Sequence, residues 1–342
     1  MLSLCCVLTA TDIGNTADRI VLVAGGGTSP ATQLFEPFGV AFDSRQQVWI
    51  VEMISGNRLL QFSPAEGLIH RAGRMKQAGL AGDGGPALNA QFNGPHNLAI
   101  LPNDTILVAD TWNGRIRSID PKSGKIESVP GYEIPLDVAR KSGPYCITLD
   151  STGKLLYIAD LLRVSVLDLE THQLSVVAGN GRKGIPEDNA LASQSPLVDP
   201  RAVAPDRLGN VYILERGGNS LRVVDVHGKI RTLVNRSGTK GNSGDDGPGI
   251  DATLNGPKHL TVDPQNRVVI ADAENHVIRR YDPETGIIQR IAGTGKSGYS
   301  GLDGPPNACQ LARPHGVTFH PGTEELYITD SYNNRILRIT SK

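Results

Sequence analysis

The sequence predicts an all-β chain folded as a six-bladed β-propeller, with four antiparallel strands per blade and the last blade closed by the N-terminal strand. Three observations carry that prediction. A proline recurs at Pro37, Pro95, Pro144, Pro200, Pro257 and Pro314, spaced 58, 49, 56, 57 and 57 residues apart. An acid closes a β-rich run 15 or 16 residues after each: Glu52, Asp110, Asp160, Glu215, Asp272 and Asp330. The last repeat stops after "NRILRIT" without a fourth strand, while "RIVLVAGGG", from Arg19 to Gly27, matches the fourth strands "LSVVAGNG" and "IQRIAGTG". A fixed period of short strands is the mark of a repeat fold, and a strand lent from the other end of the chain leaves no open edge.

Composition agrees. The 342 residues include 39 glycines and 22 prolines without a collagen-like period, so the chain is rich in turns. Lys plus Arg number 34 against 35 Asp plus Glu, for a net charge of −1. With no basic stripe, nucleic acid is excluded as an expected partner. No apolar run reaches the roughly 18 residues that would span a bilayer. The opening "MLSLCCVLTA" is apolar and ends in small residues, which fits a secretory signal cleaved near Ala10, although a basic n-region is missing. Residues 1–18 are therefore read as a signal-like or disordered segment and 19–342 as one propeller domain. The expectation is a monomer exported to the periplasm or extracellular space, with the cytoplasm as the other reading of its compartment. Cys146 and Cys309 fall on distant repeats, which argues against a disulfide.

Within each unit the strands follow in order. In the second repeat they read "HNLAIL", "TILVAD", "GRIRSID" and "KIESVP", parted by the turn signals "PND", "TWNG" and "PKSG". A longer phrase precedes three of the repeats: "GDGGPALNAQFNGP" from Gly82, "GDDGPGIDATLNGP" from Gly244 and "GLDGPPNACQLARP" from Gly301. It reads as the connection from the outer strand of one blade to the inner strand of the next. Its acids, Asp83, Asp245, Asp246 and Asp303, are turn formers first, although oxygen-rich loops also bind calcium. The six recurring acids are expected to accept backbone N–H bonds and pair with the arginine that follows; a carboxylate ring holding a cation is the alternative. "GNGRKG" and "GTGKSG" lack the strand-then-helix setting of a phosphate loop and are read as turns.

The pattern of Asp110, Asn113, Arg115 and Ile116, repeated as Asp330, Asn333, Arg335 and Ile336, resembles the NHL repeat. Asp272 and Asn275 match it in part, with Val277 where arginine would stand. The resemblance implies a six-bladed propeller and leaves function open, since one fold hosts many chemistries.

Function is sought where the inner strands begin. Directly after the six prolines stand Phe38, His96, Tyr145, Arg201, Lys258 and His315, and one residue further Gly39, Asn97, Cys146, Ala202, His259 and Gly316. Both sets should gather at one mouth of the channel. The placement of His96, His315 and Tyr145 resembles the peptidyl-hydroxyglycine lyase of peptide amidation, which implies zinc or another divalent cation held by His96, His259 and His315, with Tyr145 and Arg201 as catalytic candidates. Arg201 stands where that family's third histidine would be, and a guanidinium binds no zinc. Asn97 and Lys258 are read as ligand-binding residues. No nucleophile elbow is present. The leading expectation is a module that binds a protein or small molecule at the mouth; the alternative is a metal-dependent lyase or hydrolase using the same residues.

Overall fold

The computed structural model describes residues 18–29, 31–134 and 143–340; the signal-like segment, apart from Asp18, lies outside them. Six antiparallel sheets follow one another round a channel. The first blade is Pro37–Phe42, Val48–Glu52, Arg58–Ser63 and Gly67–Gly73, from the channel outwards. The innermost strands of the others are Asn97–Ile100, Cys146–Leu149, Pro200–Pro205, His259–Val262 and Gly316–Phe319. Each lies beside the innermost strands of the neighbouring blades, and Gly316–Phe319 meets Pro37–Phe42 to complete the circle. Among the described residues no helix is long and apolar enough to cross a membrane.

Closure is as the sequence predicts. Arg19–Gly25 pairs antiparallel with Arg335–Thr340, from Arg19 opposite Thr340 to Gly25 opposite Arg335. This strand is the outer member of the last blade.

Second strands such as "VWIVE", "ILVAD" and "VVIAD" are buried at every position. Both of their faces are covered by adjacent blades, which explains continuous apolar runs in place of alternation. Between the first two blades, for example, Trp49, Val51 and Leu59 pack against Leu98, Ile106 and Val108. The recurring Ala-Gly pair at the end of the fourth strand has a steric cause. Gly25, Gly73, Gly179 and Gly293 have φ of 87°, 87°, 94° and 91°. A Cβ there would stand 2.2, 2.4, 2.3 and 2.4 Å from a carbonyl oxygen of the third-strand turn. Only glycine fits.

The repeated phrase connects blades as expected and also covers the next sheet's outer edge. Gly84 and Ala87 donate to the carbonyls of Ile126 and Gly124 at 2.9 and 2.7 Å. Asp246 and Gly249 do the same to Ile288 and Gly286, both at 2.8 Å, and Asp303 to Ile20 at 2.9 Å. In two blades the contact is regular enough to add a fifth, two-residue strand, Ala190–Leu191 and Gly247–Pro248, where four were predicted. A bare edge would otherwise offer its N–H and C=O groups to another chain.

Candidate functional site

The six recurring acids are structural. Glu52, Asp110, Glu215, Asp272 and Asp330 have no exposed surface. Each accepts the backbone N–H two residues before its blade's proline, from Phe35, Asn93, Val198, Asn255 and Ala312, at 2.6–2.9 Å. Each also pairs with an arginine of the third strand: Arg58, Arg115, Arg222, Arg279 and Arg335. Asp160 is the exception, capping its own turn through the N–H groups of Leu162 and Arg163. Two of the phrase acids are similarly engaged: Asp83 pairs with Arg115 at 3.2 Å and Asp245 with Arg279 at 2.9 Å.

What lines the mouth is a cavity of about 550 Å³. All six residues of the first predicted ring reach it: Phe38, His96, Tyr145, Arg201, Lys258 and His315. Proline fixes φ at the head of each inner strand, so the side chain that follows is presented at the same height in every blade. On one side the wall is aromatic. His315 stacks on Phe38 at 4.1 Å between centroids and on Tyr332 at 5.9 Å; His96 meets Phe38 edge-on at 5.2 Å and Tyr145 at 4.8 Å.

Both histidines have a fixed tautomer. Nδ1 of His96 donates to the Gly94 carbonyl and Nδ1 of His315 to the Arg313 carbonyl, each at 2.8 Å, so Nε2 carries the lone pair in both. Burial, together with the cations Arg201 and Lys258, lowers the pKa of His96 to about 3; burial and Lys258 hold His315 well below the usual histidine value.

The opposite wall is cationic. Arg201 lies with its guanidinium 3.7 Å from the centre of the Tyr145 ring, and its buried Nε has no hydrogen-bond partner among the described residues. Its carboxylate neighbour, Asp199, stands 3.4 Å away and is held more closely by Arg216, at 2.6 Å. Lys258 has Glu274 at 3.8 Å, and that carboxylate makes its close ion pair with Arg313. Burial first, then the charges of Arg201 and Arg216, bring the Lys258 pKa down to about 8. Glu36 also lines the cavity, but its carboxylate accepts from the Ser55 N–H and hydroxyl.

The second predicted ring divides. His259 sits beneath the mouth with Nε2 3.1 Å from the Asn97 amide nitrogen and 3.9 Å from Cys146 Sγ, and with Nδ1 3.4 Å from the Val317 N–H. Asn97 faces away from the cavity; its carbonyl oxygen accepts from Ile147 N–H of the adjacent blade at 3.0 Å, and its amide nitrogen meets His259 of the opposite blade, which makes it a strut across the channel. Burial pushes the Cys146 thiol up and so leaves it a poor nucleophile. Cys146 and Cys309 are both buried and unpaired. Among the described residues no three His, Cys, Asp or Glu side chains are placed to hold a metal ion: Phe38 packs against both His96 and His315, and His259 turns to Asn97. These residues do not fit a three-histidine zinc centre.

The NHL repeat family matches residues 92–117, the segment that carries Asp110, Asn113 and Arg115. The fifth and sixth blades repeat that segment's carboxylate, amide and arginine contacts. The chain carries an NHL repeat and folds as a six-bladed propeller. It is 28% identical over 276 residues to Protein SUPPRESSOR OF QUENCHING 1, chloroplastic, of Arabidopsis thaliana, covering 73% of this chain and 25% of that protein. It is 26% identical over 286 residues to human NHL repeat-containing protein 2, covering 72% and 38%. The chain thus spans well under half the length of these relatives. A Bacteroides ovatus auxiliary nutrient binding protein shares the fold with a TM-score of 0.68, at 15% identity, over 96% of this chain and 77% of that one.

One part of the propeller's site was not foreseen from the sequence. Residues one or two places after five of the recurring acids make an upper tier: Met53 and Ile54, Trp112, Leu161, Arg216 and Tyr332 all line the cavity. Their signal was available, since each stands one or two residues after a recurring acid. The tier is apolar over the sixth, first, second and third blades and charged over the fourth and fifth, where Arg216 and Glu274 stand.

Proposed function

We propose that this NHL propeller binds a small organic anion, a carboxylate joined to an aromatic or alkyl group, at the mouth of its channel. The observation that carries this reading is Arg201: a residue with 8% of its surface exposed, its guanidinium stacked on Tyr145, with an unpartnered Nε beside two further cations. A buried charge left without full hydrogen bonding is costly, and an incoming carboxylate would relieve that cost through charge-assisted bonds. Phe38, Trp112 and Tyr332 supply the apolar counterpart across the same cavity. Few polar groups set in an aromatic wall are the usual make-up of a small-molecule site.

Calorimetric titration with 3-phenylpropionate tests it. We expect saturable binding that weakens about tenfold or more in Arg201→Gln, the worth of a charge-assisted hydrogen bond. Absence of binding to the folded protein would remove the reading.

A further inference from the structure

Arg201, Lys258 and His315 occupy the same position in three consecutive repeats, so their side chains enter the cavity from adjacent inner strands in that order. Lys258 differs from an ordinary surface lysine in what surrounds it. It lines the cavity together with Arg201 and Arg216, whose charges act on its amine, and its nearest carboxylate, Glu274 at 3.8 Å, is held by Arg313. His315 brings a lone pair on Nε2, because Nδ1–H is spent on the Arg313 carbonyl.

We propose that Lys258 forms a reversible imine with a 2-oxo carboxylate whose carboxylate is held by Arg201; the inference rests on the anion-binding reading above and names the ligand class within it. An amine acts as a nucleophile only with its lone pair free, and burial among cations is a recognised way of freeing it. With a pKa near 8, the free-amine fraction at neutral pH is on the order of a hundredfold above that of an ordinary lysine. The amine lone pair attacks the C2 carbonyl carbon and the C=O π pair moves to oxygen. Nε2 of His315 takes a proton from nitrogen and returns it to that oxygen. Loss of the hydroxyl with the second amine hydrogen then releases water and leaves a C=N bond. Both amine hydrogens and the carbonyl oxygen depart as one water molecule, and nothing is oxidised or reduced. Carboxylate and carbonyl are adjacent atoms in a 2-oxo acid, which suits a cation and an amine side by side, and the aromatic wall suits an aryl group beyond them.

Reductive trapping tests the proposal on the full chain. The protein is incubated with phenylpyruvate and cyanoborohydride, digested, and every lysine-containing peptide followed by mass spectrometry. The expected result is one reduced adduct, on Lys258, forming about tenfold or more faster than on any other lysine. Excess 3-phenylpropionate should slow it, and Lys258→Arg, shown to be folded by its thermal melt, should abolish it. Adducts spread evenly over the lysines would overturn the proposal. So would the lack of any adduct in protein that binds 3-phenylpropionate, an outcome that leaves the anion-binding reading standing. If neither compound binds, both readings fall together.

Discussion

His96, His259 and His315 are kept neutral because burial strips away the water that would solvate an imidazolium, and for His96 and His315 nearby cations add to the effect. Their folded pKa values, about 3 for His96, about 4 for His259 and well below 6.5 for His315, lie under the unfolded value. The unfolded chain therefore binds more protons between about pH 6.5 and pH 4, so stability falls as pH falls through that window. Each imidazole should contribute on the order of 1–2 kcal/mol to the loss between pH 7 and pH 5. Urea denaturation at the two pH values measures it, and His259→Gln should flatten part of the difference; an unchanged slope would mean that the ring is charged in the native state. These three histidines were conspicuous in the sequence, but their partners were not. Asn97 and His259 are 162 residues apart on opposite blades, and a contact across a channel leaves no local pattern.

At the scale of the element, the acid of the second strand ties together the backbone before the inner strand, the turn and the third strand. In the last blade Asp330 accepts from Ala312 N–H, from Asn333 and from Arg335, all at 2.7 Å. Asp330→Ala strands a buried guanidinium and should cost about 3–5 kcal/mol. Asp160→Asn, in a turn without such an arginine bond, should cost about 1 kcal/mol. Differential scanning calorimetry separates the two, and equal losses would contradict this account of the acids. The acids themselves were plain in the sequence. The choice of arginine was only partly so: with Val277 in the expected place, Arg279 reaches Asp272 from two residues on, the same face of the strand. Glu215 takes Arg222 in the same manner. The short fifth strands were not legible, since two residues of "GP" or "AL" carry no strand signal and gain their pairing from the sheet edge they cover.

Across the whole molecule, six inner strands make one circle that depends on a single pairing between distant parts of the chain. Removing Arg19 to Gly27 should lower the melting temperature sharply, because Arg335–Thr340 would become an open edge and Ile20, now fully buried, would leave a hole between the fifth and sixth blades. A melting temperature within a degree or so of the parent would contradict closure by that strand. Circular closure was readable because a missing strand at one end and a spare one at the other can only be reconciled in a ring. The direction in which that clasp can be pulled matters as well. Arg19 stands opposite Thr340, so the two ends of the described chain leave from the same end of the strand pair. Tension applied at both would part the hydrogen bonds in sequence, like a zipper, instead of loading them all at once in shear. Held between its ends in an optical trap, the propeller should give way first at the sixth blade and at low force, with the other five blades still folded at that moment.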